Sequence, residues 1–238
     1  MKPLLWGVLI AFPLYIHADI SFADDMIHTS RNVKVKKSKD RITSRSTGNA
    51  TWVLNSEVNI YGDISYINTG IDYNQNGWNV GLSVYSMALS NDDSESNYNT
   101  FISISKQFDW NLFKTTVGVQ NGTPFATSHQ YWENFSFIDN QFTIGDRVVL
   151  HGGVYFANAA LTQTVNKIGY QLGLDLVIVP DLITLQSAYV SGTDSVSGST
   201  ININYEATKS GQLYVGTIIP NKNSVNEYAG IIGINWKL

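Results

Sequence analysis

The chain has 238 residues, 14% of them charged, and a formal net charge of −4, which is enough length for one sizeable domain or one medium barrel. Its charged fraction is well below the roughly 25% usual in soluble domains, and no apolar run beyond the first 20 residues can span a bilayer as a helix. The absence of cysteine excludes a disulfide scaffold, a cysteine-anchored lipoprotein and a thiolate metal centre.

Lys2, the apolar run 4–16 and the small residues that follow form a secretory signal, residues 1–23, cleaved after Ala18 or Ala23. Residues 24–50 form a basic arm. Arg31, Lys34, Lys36, Lys37, Lys39, Arg41 and Arg45 put seven of the fifteen Lys and Arg residues in it. They show no apolar periodicity, so a flexible, solvated arm is expected. From Ala50 onward seven basic residues stand against fifteen acidic ones, a net of −8. The arm therefore has the charge to dock into an acidic barrel mouth or onto an anionic periplasmic partner. Nucleic acid is not an expected partner of an exported chain.

Residues 51–238 alternate. Val58, Ile60, Ile64 and Tyr66 oppose Asn59, Asp63 and Ser65. Trp78, Val80, Leu82 and Val84 oppose Asn79, Gly81 and Ser83, and Ile102 and Ile104 oppose Ser103 and Ser105. Phe113, Val117 and Val119 oppose Lys114, Thr116 and Gln120. Stretches 150–161 and 182–191 are strand-like but less regular, with the longest row, 168–178, between them. Ile201, Ile203 and Tyr205 oppose Asn202, Asn204 and Glu206; Leu213, Val215 and Ile219 precede the last strand. A period of two is the strand signature, and segments of about ten residues cross a bilayer at a tilt. Ten segments have this character. A strand within 122–147, around Phe135, Phe137 and Phe142, and another near Trp52 and Leu54 would make twelve. Trp52 and Leu54 share the phase of Val58 and Ile60, so they can instead lengthen the first strand. Tight connections at 109–111, 180–181 and 208–211 alternate with longer ones at 192–198 and 221–227.

In the last strand Tyr228, Ile232, Ile234, Trp236 and Leu238 share one face; Ala229, Gly233, Asn235 and Lys237 share the other, with Ile231 the apolar exception. Alternation alone does not say which face looks inward. A soluble sandwich or lipocalin-like barrel buries the apolar face, whereas a membrane barrel turns it to lipid. The signal, the missing cysteines and the aromatic last strand favour the membrane barrel. On these residues the chain resembles the general porin-like class of bacterial outer-membrane β-barrels. The resemblance covers about residues 50–238 and is architectural. It implies an all-β, closed antiparallel transmembrane barrel of 10 to 12 strands in the outer-membrane lipid of a Gram-negative bacterium, with the arm in the periplasm. It also implies insertion by barrel-assembly machinery that reads Ile232, Ile234, Trp236 and Leu238. Leu238 stands where that class usually ends on an aromatic residue.

On the membrane reading Asp63, Lys114, Gln120, Asp175, Gln186, Glu206 and Lys237 face the lumen. Trp78, Tyr98, Trp110, Tyr205, Tyr228 and Trp236 form two aromatic girdles at headgroup level. Such a lumen is either a water path whose net-negative lining favours cations, or a closed polar core with Lys114 and Lys237 paired to Asp63, Asp175 or Glu206. The expected function is a small channel or the pore of an export or uptake system. The alternative is a non-conducting structural or interaction barrel. An enzyme is not expected. His28 lies in the arm, His129 beside Ser128 lacks an orienting acid, and His151 between Leu150 and Gly152 has no catalytic neighbour. A lipid-acting barrel enzyme is the weakest reading. Asp92, Asp93 and Glu95 lack the spacing of a calcium loop, and neither metal nor cofactor is expected.

Overall fold

The computed structural model describes residues 50–238 other than 63, 90–97, 111–112, 125–131, 163–164, 195 and 225–226. The signal, the arm, Asp63, Asp92, Asp93, Glu95 and His129 lie outside the described residues.

Twelve strands follow one another: β1 (Thr51–Tyr61), β2 (Ile64–Gln75), β3 (Trp78–Leu89), β4 (Tyr98–Asp109), β5 (Phe113–Pro124), β6 (Glu133–Ile144), β7 (Val148–Ala157), β8 (Lys167–Val179), β9 (Ile183–Val190), β10 (Gly198–Glu206), β11 (Gly211–Ile219) and β12 (Ala229–Lys237). One short helix, α1 (Ala159–Thr162), sits between β7 and β8. Each strand pairs antiparallel with its chain neighbours. β12 then pairs with β1, from Val53 opposite Lys237 to Ile60 opposite Gly230, and closes the barrel. Closure leaves no row of unpaired edge amides, the condition for a sheet to survive in lipid.

β1 begins and β12 ends at one rim, which also carries the short connections between β2 and β3, β4 and β5, β6 and β7, β8 and β9, and β10 and β11. Left-handed residues shape several of these turns: Asn76 (φ 51°), Gly77 (φ 78°), Gly145 (φ 60°) and Asp181 (φ 60°). Asn, Asp and Gly tolerate that conformation best, which explains their place between alternating runs. The opposite rim carries the longer loops and one tight turn at Gly62 (φ 47°).

The count of twelve has two sources. The stretch 122–147 contains β6, as one reading expected. The first alternating run is two strands, broken at Gly62, while Trp52 and Leu54 lengthen β1. This corrects one assignment. Asn59 faces Tyr66 across the hairpin and Ile60 faces Ser65, so Tyr66 shares the inner face with Asn59. Tyr66 is buried, on the opposite side of the wall from Val58 and Ile60. A phase read straight through a turn is lost because the turn resets which face each residue meets.

The structure decides which face looks inward. Asn59, Gln120, Asn202 and Asn204 are buried, while Leu82, Ile102, Ile203 and Val215 on the other phase are about half exposed. Such a wall would forgo part of the about 1.5–3 kcal/mol gained by burying each large apolar side chain if it met water. Every strand contributes to this apolar outer band, which fits lipid and excludes a lipocalin-like interior. Trp78, Trp110, Tyr205 and Trp236 stand outward near the turn rim and Tyr228 at the loop rim. The side chain of Tyr98 is outside the described residues. Trp52 against Tyr73 (4.8 Å) and Trp110 between Phe108 and Phe113 (6.4 Å each) thicken the turn-rim belt. There Lys106 lies 5.1 Å over Trp78 and donates to the Asn76 carbonyl at 2.6 Å, a cation reaching from the apolar wall toward polar groups.

Candidate channel interior

The inner face has two halves. Toward the loop rim it is dominated by aromatic rings, with Asn99, Glu133 and Thr200 buried among the strand ends there. Tyr66 stacks on Tyr85 (5.0 Å, 13°) and Phe135 on Tyr155 (5.1 Å, 8°), with Tyr61, Phe101, Phe137 and Ile218 beside them. Leu161 of α1 and Val196 of the β9–β10 loop belong to the same buried cluster. The Tyr155 hydroxyl donates to the Ser191 carbonyl at 2.6 Å, fastening rings to loop. Inward glycines let the large side chains lie flat along the wall. A Cβ on Gly118, Gly122, Gly169 or Gly233 would meet the ring of Phe137, Phe101, Tyr155 or Tyr214, the residue opposite it on the next strand. This ring-over-glycine pairing holds aromatic side chains against a sheet.

Below the rings the interior is polar, and four carboxylates lie buried in it. Asp72 accepts from Asn55 Nδ2 (2.7 Å) and Asn79 Nδ2 (3.4 Å). Glu57 accepts from Asn59 Nδ2 (2.9 Å) and from the Tyr214 hydroxyl (2.8 Å), whose ring passes over Gly233 and so ties β11 to β1 across the closing strand. Asp139 and Asp175 flank His151: Nδ1 lies 3.4 Å from Asp139 Oδ2 and Nε2 3.0 Å from Asp175 Oδ2. Gln171 Nε2 donates to Asp139 Oδ1 at 3.4 Å. A fifth buried acid, Glu133, lies at the loop-end start of β6. Among the described residues no Lys or Arg is buried with them; amides, a phenol and one imidazole surround the charge.

Of the expected lumen residues, Gln120 and Asp175 are buried on the inner face. Gln186 is half-buried there, opposite Asp175 and Asn202. Lys114, Glu206 and Lys237 hold inward phase but sit at the turn rim. Lys114 lies 3.9 Å from Asp109, and Glu206 accepts from Gln212 at 2.8 Å. Among the described residues Lys114 has its acidic partner on its own hairpin and Asp175 holds His151, while any pairing with Asp63 lies outside the described residues. Sequence reading missed Glu57, Asp72, Glu133 and Asp139 as interior groups. Asp72 between Ile71 and Tyr73, and Glu57 in phase with Asn55 and Asn59, carried a usable signal. Asp139 did not, because inward Phe135 and Phe137 make the inner face of β6 read as apolar.

The barrel matches solved structures along most of its length. The NanC porin matches at TM-score 0.58 and 9% identity, over 79% of this chain and 100% of that one. The KdgM porin, solved in complex with disordered oligogalacturonate, matches at TM-score 0.52 and 15% identity, over 79% and 98%. The fold is that of an outer-membrane porin. Outer membrane phospholipase A from Escherichia coli matches at TM-score 0.46 and 11% identity, over 81% and 97%. No protein-family model matches the chain, and no curated protein sequence matches it.

In this porin-type barrel His151 points inside, with its side chain 3% exposed, which separates it from any acyl chain on the outer wall. The loop rim carries a perturbed carboxyl, that of Asp194. Burial pushes the Asp194 carboxyl up, against the pull of Lys167 at 3.9 Å.

Proposed function

We propose that this chain is an outer-membrane channel of a Gram-negative bacterium, narrow and cation-favouring, acting alone or as the membrane pore of an export or uptake system. The carrying observation is a polar interior with Glu57, Asp72, Asp139 and Asp175 buried and no Lys or Arg buried beside them. Fixed negative charge in a confined, low-dielectric passage attracts cations and repels anions. The same charge opposes a polyanion such as the oligogalacturonate found with the KdgM porin. The ring cluster at the loop end is the constriction, since an apolar neck closes by excluding water. Planar-bilayer recordings test this: Glu57→Gln, which removes one of these buried carboxylates, should lower cation preference, and an unchanged reversal potential counts against the reading.

The turn rim faces the periplasm in this reading, and the basic arm with it. The described part of that rim is nearly balanced, with Asp109, Asp146, Asp181 and Glu206 against Lys106, Lys114, Arg147, Lys209 and Lys237. It offers the arm no acidic mouth, so the arm's partner is a separate anionic periplasmic component. Deleting residues 27–46 should release that partner while leaving conductance unchanged; equal retention of the partner sinks the idea.

One observation favours a second reading. Most inward side chains are buried, as expected of a filled, non-conducting barrel that serves as a structural or interaction module. Absence of any single-channel current, in the wild type and in variants with the rings removed, would select it.

A further inference from the structure

Hydrogen-bond arithmetic at His151 leads to a ligand the interior must hold. A neutral imidazole has one N–H and one lone pair, and an ionised carboxylate only accepts. Both ring nitrogens of His151 face carboxylate oxygens, at 3.4 and 3.0 Å. With a neutral ring and two ionised acids, one contact would set lone pair against lone pair. The site has little water to relieve this, since the side chains of His151 and Asp139 are 3% exposed and that of Asp175 8%. Asp175 Oδ1 is also buried without a donor.

We propose that Asp139, His151 and Asp175 form a proton-binding site in the barrel wall, holding one proton beyond a neutral ring and two carboxylates. The proton either completes an imidazolium between two carboxylates or makes one acid a donor to the neutral ring. Both distributions leave the trio with a single negative charge and satisfy both contacts. The proton comes from solvent through the polar, turn-rim half of the interior. Loss of it breaks one contact among β6, β7 and β8 and makes the lumen more negative.

The surroundings leave this role to the trio. β5 brings Thr116 opposite Asp139, and Lys114 opposite Gln141. Lys114 is 38% exposed and beside Asp109, too far out to neutralise the site. β6 brings Gln141 opposite His151, β8 brings Gln171 and β9 brings Gln186 opposite Asp175, all neutral. Glu57 and Asp72, on β1 and β2, are held by their own donors. A metal does not fit in place of the proton, because the two acids sit on opposite nitrogens of the ring and do not converge on one point.

The test is long-range proton–nitrogen NMR of the exported, full-length chain labelled at histidine nitrogens, folded in detergent at about pH 7, with the His151 signals assigned through His151→Gln. Neither ring nitrogen of His151 should show a free lone pair. In Asp139→Asn the amide donates to Nδ1, the extra proton is no longer required, and the ring should become a single neutral tautomer with N–H on Nε2. A free lone-pair nitrogen in the wild type overturns the proposal, as does any ring state in Asp139→Asn other than the single neutral tautomer with N–H on Nε2. The wild-type spectrum decides even if that variant fails to fold. No current is measured, so the result is independent of whether the barrel conducts.

Discussion

The two halves of the interior share one wall, one alternation and one hydrogen-bond ladder, yet one is a stack of rings and the other a set of amides and acids. The difference lies in what occupies the inward positions. At the loop end Tyr66, Tyr85, Phe135 and Tyr155 pack on one another and on the loops above them. Toward the turn end Asn55, Asp72, Asn79, His151 and Asp175 engage each other through hydrogen bonds. A β-barrel fixes where side chains start, and their chemistry then divides one cylinder into a neck and a charged chamber.

The comparison breaks most visibly if the neck is emptied. Phe135→Ala with Tyr155→Ala should raise single-channel conductance several-fold and lower stability by about 3 kcal/mol or more per ring, the usual cost of removing a buried aromatic. Unchanged conductance with a folded barrel would mean that the rings are packing and not a gate. A smaller effect is expected where the halves meet the barrel seam. Gly233→Val would push Tyr214 off the wall and away from Glu57, with a cost of about 1–3 kcal/mol from overpacking, read as a lower temperature for the loss of heat-modifiable gel migration. Gly230, whose Cβ would meet nothing within 4 Å, is the control, and Gly230→Ala should be close to neutral.

The smallest effect concerns the loops that roof the neck. Burial raises the Asp194 carboxyl above its ordinary value of 3.8, so the folded loop binds more protons than the unfolded one. Its stability is therefore full below the ordinary value and declines as pH rises through the raised one. Proteolysis within the 191–197 loop should quicken over that window in the wild type and stay flat in Asp194→Asn. A parallel rise in both proteins would assign the trend to another group.

Much of the wall was readable from residues alone. Trp78 to Val84, Ile201 to Tyr205 and the last strand hold the faces their alternation predicts, because a period of two is local and survives any closure. Gln120 and Asp175 followed from the same rule. Tyr66 did not, since Gly62 turns the chain where the pattern runs on. Asp139 was hidden among inward aromatics, and Lys114 found Asp109 on its own hairpin because a rim lysine reaches a near neighbour before a distant one.

By itself the sequence determined that residues 51–238 form strands, where most of them turn, and which side chains share a face, all consequences of backbone geometry over a few residues. Only the tertiary structure decided that the apolar face looks outward, that β12 closes on β1, and that His151 stands between two aspartates. Those facts depend on the register of strands far apart in the chain, and register is set by the whole closed sheet rather than by any one segment.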